Sequence, residues 1–293
     1  MTGMRPDWIA VDAGAARRRA WAMGPEGPLA EAATPQAGGE FELGLLRLIW
    51  PWLSGDPVPV VACGVPMPEV ASRAVPCVPV AAAGLVSVPV RDGRISLRVV
   101  PGLVQSEPAD LMCGDETRIA GALALLRGFD GVLCLPGPQT RWVQVSAGEV
   151  VGFRSFLSGD LFDLLAGKSL LRDAVSGGGW DAEAFPAAVQ DGMAHPQKLG
   201  SKLYALQAQS QLQGLLPGTA RARLAGFLIG QELAGARGWW LGQSVVVVGP
   251  DDLAARYIAA LGQQGATPRA LSAEACTLAG LAVAHGQLAV PVR

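Results

Sequence analysis

A short apolar run, a glycine turn and a second strand-like run occur at the start of this chain and again near its middle. Residues 8–12 (Trp-Ile-Ala-Val-Asp) pass through a turn containing Gly14 into residues 18–23. Gly24-Pro25-Glu26-Gly27 then turns the chain into residues 29–33, so three antiparallel strands are predicted. Residues 131–135 form a buried-strand run, and residues 142–145 and 150–153 flank Ser146-Ala147-Gly148 as a hairpin. The repetition predicts two α/β lobes, residues 1–129 with the first hairpin and a connecting helix, and residues 130–293 with the second hairpin.

Outside the hairpins the apolar period lengthens. Residues 40–53, 115–126, 161–171, 182–193, 202–215, 220–234, 251–261 and 273–285 favour helix, while 58–63, 95–100 and 244–248 read as strands. Residues 65–90 are rich in Pro and Ala, have no sustained period, and are expected to be mostly irregular.

Half of the 293 residues are hydrophobic (50%), enough to bury a full core. With 23 basic against 25 acidic side chains, the net charge of −2 gives no positive field for nucleic acid or an acidic membrane surface. No apolar run reaches membrane-spanning length and the N-terminus has no signal-peptide core, so a soluble cytoplasmic protein is expected. The 5 cysteines are scattered without a Cys-x-x-Cys pair and read as free, mostly buried thiols. With 2 histidines and no His-Glu-x-x-His, a zinc site is not expected.

Four short segments hold residue types suited to chemistry. Asp12-Ala13-Gly14 sits where the first strand turns: a strand-end carboxylate can hold hydrated Mg²⁺, and a glycine turn lets backbone N–H groups approach phosphate. An ordinary hairpin turn explains the same residues. Gly114-Asp115-Glu116-Thr117 begins a helix, where acids complement the dipole, and where Glu116 or Asp115 could accept a proton from an attacking hydroxyl. In Leu135-Pro136-Gly137-Pro138-Gln139-Thr140-Arg141, Gly137 permits phosphate approach, Thr140 offers a hydroxyl and Arg141 a cation. Gly249 follows a late strand and precedes Asp251 and Asp252, a strand-to-helix loop suited to the ribose or adenosine of a nucleotide.

In this order the segments match two-lobed phosphotransferases, and along almost its whole length the chain resembles the 2-dehydro-3-deoxygalactonokinases. The resemblance is carried by Ile9-Ala10-Val11-Asp12, Arg19-Ala20-Trp21, Pro101-Gly102-Leu103, Gly114-Asp115-Glu116-Thr117, Leu135-Pro136-Gly137, Phe153-Arg154-Ser155-Phe156-Leu157-Ser158-Gly159-Asp160, and Gly226-Phe227-Leu228-Ile229-Gly230-Gln231-Glu232-Leu233. It implies an α/β, two-lobed actin-like ATPase (ribonuclease H-like) fold with a central cleft. It also implies ATP- and Mg²⁺-dependent phosphorylation of 2-dehydro-3-deoxy-D-galactonate at its 6-hydroxyl, in galactonate catabolism. By the same resemblance Glu116 is the expected base with Asp115 its alternate, and Asp12 anchors the metal. Arg154 is expected at the substrate end of the cleft, against a carboxylate or in a structural ion pair with Asp160.

The chain departs from the family pattern in the phosphate turns. Asp-Trp-Gly-(Ser/Thr)-Thr-Asn becomes Asp12-Ala13-Gly14-Ala15-Ala16-Arg17, and Gly-Met-x-Gly-Ser becomes Gly64-Val65-Pro66-Met67-Pro68. Gly-Thr-His-(Ser/Cys)-Lys becomes Gly137-Pro138-Gln139-Thr140-Arg141, and a usual arginine is Gln207. Hydroxyls, N–H donors and a positive charge are lost, with one hydroxyl regained at Thr140. The competing reading is a weak or inactive homologue that binds a sugar acid or nucleotide for regulation.

Overall fold

The computed structural model describes residues 5–14, 17–35, 40–67 and 70–288. Strands β1 (Trp8–Ala13), β2 (Arg17–Gly24) and β3 (Gly27–Pro35) open the chain and helix α1 (Phe41–Ile49) follows. Then come β4 (Val58–Cys63), β5 (Arg73–Ala74), β6 (Val86–Val88), β7 (Ile95–Val99), β8 (Leu103–Gln105), β9 (Asp110–Met112) and α2 (Asp115–Leu126). The second hairpin is β10 (Gly131–Leu135) and β11 (Thr140–Ser146), continued by β12 (Glu149–Phe156). Helices α3 (Ser158–Lys168), α4 (Arg172–Val175), α5 (Ala184–Ala194), α6 (Leu199–Gln213), α7 (Pro217–Gly235) and α8 (Arg237–Trp240) lead to β13 (Val245–Gly249). The chain ends on α9 (Asp251–Gly262), β14 (Arg269–Ser272) and α10 (Ala273–Leu288).

Two compact units result: Met1–Phe129 with Ser146–Gly152 and Ala273–Arg293, and Asp130–Val145 with Phe153–Ser272. The first holds a six-stranded sheet in the order β3-β2-β1-β4-β7-β6 and a small sheet β5-β8-β9. β1 pairs antiparallel with β2 and parallel with β4. Its alternate residues serve two cores. Ile9, Val11 and Ala13 pack with Val60 and Ala62 against Leu45 and Ile49 of α1. Trp8 and Ala10 pack with Val61 and Cys63 against Ala120 of α2 and Leu281 and Ala284 of α10. Burial on both faces explains why β1 and β4 read as continuous apolar runs. Each fully buried aliphatic side chain of this kind contributes about 1.5–3 kcal/mol.

The position of α10 corrects the expected lobe 130–293, since it and Ser146–Gly152 cluster with the first unit. α2 and α10 cross so closely that a Cβ at Gly121 would overlap the Cys276 carbonyl oxygen, and one at Gly280 the Thr117 carbonyl oxygen. α10 is apolar on most sides, so its periodicity does not say which sheet it covers.

The second unit is built on the sheet β12-β11-β10-β13-β14. Val132 and Cys134 of β10, Trp142 of β11, and Val245 and Val247 of β13 share a core with Phe185 and Val189 of α5, Ile229 and Leu233 of α7, and Tyr257 of α9. The region 65–90 contains β5, β6 and one short 3₁₀ turn at Ala82–Gly84. The short strands β8, β9 and β14 carried no readable alternation. No helix among the described residues is long and apolar enough to cross a membrane.

Candidate active site

In the first unit the ends of β1 and β4 meet the start of α2. Gly64, just after β4, has φ 70° and Gly114, just before α2, has φ 103°. A Cβ at Gly114 would lie 3.1 Å from the Gly64 Cα, and one at Gly64 would lie 3.2 Å from the Ala13 carbonyl oxygen. Both the left-handed backbone and the close approach call for glycine.

The α2 start carries three charged residues with different surroundings. Arg118 Nη1 donates to Asp115 Oδ1 at 2.9 Å, its Nη2 lies 3.8 Å from Asp12 Oδ2, and its Nε donates to Thr277 Oγ1 of α10 at 3.3 Å. The Cys63 thiol points at Asp12 Oδ1 at 3.9 Å. Burial raises the Asp12 carboxyl pKa, Arg118 opposes that rise, and the neighbouring Asp115 charge adds to it. Gly14 sits at the hairpin turn, where a Cβ would be 3.3 Å from the Arg17 carbonyl oxygen. Ala15, Ala16 and Pro68 lie outside the described residues.

Glu116, the base expected from sequence, lies inside the fold. It is 0% exposed, and both carboxylate oxygens accept from the Gly114 N–H, at 2.9 and 2.7 Å. The residue caps its own helix, while the Asp115 side chain keeps 16% exposure. Burial pushes the Glu116 carboxyl up to about 8 from 4.5. A carboxyl raised by folding favours the folded state when protonated, so stability contributed at this site declines as pH rises from about 4.5 through about 8. Glu116→Gln, which has no such titration, is expected to flatten the fall in Tm across that window. A parent-minus-variant difference in Tm that stays constant from acid to alkaline pH would remove this account.

In the second unit the turn between β10 and β11 is gripped by α3. A Cβ at Gly159 would overlap the Gly137 carbonyl oxygen, the Asp160 N–H donates to the Pro138 carbonyl at 2.8 Å, and Gln139 Nε2 donates to Asp160 Oδ2 at 2.7 Å. Gly249, at the end of β13, packs on Pro136, with a Cβ there falling 3.3 Å from Pro136 Cδ. Beside the turn lies a cavity of about 350 Å³, lined among others by Gly137, Gly159, Phe162, Arg221, Leu253 and Arg256. Its volume falls in the range of small-molecule sites.

Thr140 points into the core of the unit, and Arg141, the next residue of β11, lies on the other face of the strand. Thr140 is 1% exposed, and its hydroxyl is bonded to the Tyr257 hydroxyl at 2.8 Å. Arg141 is 7% exposed and donates to Ser155 Oγ at 3.3 Å. Arg154 is exposed and forms no ion pair with Asp160 or another acid among the described residues. Gln207 keeps a buried Oε1 without a hydrogen-bond partner.

Sequence reasoning missed Arg118 and the buried acid Glu232. Arg118 was legible as an arginine at i+3 from Asp115 on one helix face. Glu232 was legible as the lone acid in the run Gly226-Phe227-Leu228-Ile229-Gly230-Gln231-Glu232-Leu233.

Two α/β units, each with a strand, glycine turn and strand joined to parallel neighbours and covered by helices, define the actin-like ATPase and sugar-kinase fold class. Component A of (R)-2-hydroxyglutaryl-CoA dehydratase from Acidaminococcus fermentans shares this fold, with a TM-score of 0.50 at 11% identity over 97% of this chain and 99% of that one. The chain belongs to the 2-keto-3-deoxy-galactonokinase family, whose model matches residues 12–284. A crystal structure of a Sinorhizobium meliloti protein assigned as a 2-dehydro-3-deoxygalactonokinase is similar at a TM-score of 0.86, with 30% identity and 98% of each chain covered. The 2-dehydro-3-deoxygalactonokinase of Escherichia coli (strain K12) is 27% identical over 96% of this chain and 99% of its own length. A Rhizobium meliloti (strain 1021) protein named "Probable 2-dehydro-3-deoxygalactonokinase DgoK1" is 31% identical over 94% of this chain and 96% of its own.

Proposed function

We propose that this chain transfers the γ-phosphoryl group of ATP to the 6-hydroxyl of 2-dehydro-3-deoxy-D-galactonate. One observation carries the reading: the family match begins at Asp12 and runs to residue 284, so it takes in every segment that holds a candidate site residue. Asp115 is the proposed base. It begins α2 and keeps partial exposure, whereas Glu116 does not. The substrate hydroxyl gives its proton to Asp115 as its oxygen bonds to the γ-phosphorus, and the bond to the bridging oxygen of ADP breaks.

Arg118 holds Asp115 by an ion pair and neutralises part of the charge beside Asp12. The residues present fit a divalent cation bound mainly through phosphate and water. No group of three or more His, Cys, Asp or Glu side chains among the described residues forms a protein cage, and Asp12 offers a single strand-end carboxylate. Asp12 is the residue that would hold Mg²⁺, whose charge offsets that of the transferring phosphate. The cavity lined by Gly137 and Pro250 suits the nucleotide, with Thr140 supporting the turn from behind. Arg154 is the proposed partner of the substrate carboxylate.

Incubation with MgATP and a panel of 2-keto-3-deoxy sugar acids tests the assignment. ADP release with the galactonate-derived acid, dependent on added Mg²⁺, is the expected result. Absence of turnover with every acid of the panel overturns it.

A further inference from the structure

The second unit holds a buried polar cluster that the phosphoryl-transfer steps leave unused. Glu232 of α7 is 2% exposed and is surrounded by donors from three other elements. Trp142 Nε1 of β11 donates to Oε1 at 2.9 Å, and the Tyr257 hydroxyl of α9 donates to Oε2 at 2.9 Å. With that proton committed, the Thr140 hydroxyl donates to the Tyr257 oxygen at 2.8 Å. Ser158, the first residue of α3, also hydrogen-bonds the carboxylate.

The partners are not scattered through the core. Thr140 and Trp142 begin the strand that leaves the glycine turn, and Ser158 precedes Gly159 and Asp160, which hold the other side of that turn. Ser158 and Tyr257 themselves line the 350 Å³ cavity, as do Ala225, Leu228 and Ile229 of α7. A leucine-sized apolar side chain would fill the same space, since replacing buried polar networks by packed hydrophobes is often neutral for stability. What only the acid supplies is direction, because each donor must meet a fixed oxygen.

We infer that Glu232 is a positioning residue for the nucleotide site, tying the second glycine turn to the three helices that wall the cavity. The inference rests on the kinase reading proposed above. The side chain touches neither substrate nor metal, so its loss acts on nucleotide affinity rather than on the chemical step.

Glu232→Gln and Tyr257→Phe, compared with the parent, test this. A glutamine keeps the shape but puts an NH₂ donor where one carboxylate oxygen stood, so the Trp142 bond is lost or the Tyr257 bond must reverse. ADP affinity by calorimetry and KM for ATP are expected to weaken about tenfold in Glu232→Gln and about threefold in Tyr257→Phe, the size of losing one buried hydrogen bond or part of one. The KM for the sugar acid and kcat stay within about twofold in Glu232→Gln, as expected when only ground-state binding is altered. Should Glu232→Gln fail to fold, Tyr257→Phe, which deletes one hydroxyl, supplies the same measurement. Folded variants with a lower Tm but parental ADP affinity and KM for ATP make the cluster structural only and overturn the inference, leaving the kinase reading intact. A parent that neither binds ADP nor turns over a sugar acid defeats the kinase reading and the inference with it.

Discussion

Asp115→Asn lowers kcat for sugar-acid phosphorylation by about 10²- to 10⁴-fold and leaves ADP affinity within about twofold, the behaviour of a positioned general base. The comparison that gives this result meaning is Glu116→Gln, expected to hold kcat within about threefold at neutral pH. Two adjacent acids begin one helix, yet the fold separates them. Glu116 turns inward to cap the Gly114 N–H, and Asp115 stays partly exposed in its pair with Arg118. Steady-state kinetics of the two purified variants decide between them. If Glu116→Gln loses as much activity as Asp115→Asn, or loses it alone, the base is Glu116 after all.

The second large effect is on stability. Gly121→Ala or Gly280→Ala is expected to destabilise the protein by about 3 kcal/mol or more, because each new Cβ meets backbone oxygen and not a flexible side chain. For units of this size that corresponds to a fall in Tm of about 6–12 °C. Calorimetry reads it directly, and a change under about 2 °C would show that α2 and α10 separate at little cost. Because α2 also positions Asp115 and α10 supplies Thr277 to Arg118, the same variants should lose activity below their unfolding temperature.

The strands that matter most were readable in advance for a physical reason. β1, β4, β10 and β13 are central, so burial on both faces leaves continuous apolar runs such as Val245-Val246-Val247-Val248. The glycine turns and the α2 start were visible through residue type. What sequence could not supply was direction. Thr140 occupies a phosphate-turn position by order in the chain, but it is the first residue of β11 and its side chain falls on the core face beside Tyr257. Glu116 and Asp115 are neighbours in sequence, and only the helix phase, set by packing against α10, decides which one stays accessible. The assignment of α10 failed for a similar reason, since an apolar helix fits either sheet until its glycines are matched to Thr117 and Cys276.

The close fit of α10 on α2 bears on how the protein is made. On a ribosome, the long stretch Phe153–Ser272 of the second unit emerges before α10 does. Until α10 docks, Trp8, Ala10, Trp21 and Val61 lack the cover of Leu281 and Ala284, and an uncovered apolar face of this kind attracts chaperones or unwanted partners. Arg118 likewise waits for Thr277. The second unit can therefore mature while the first is still open, and the carboxylates at the α2 start acquire their final setting only when the closing helix arrives.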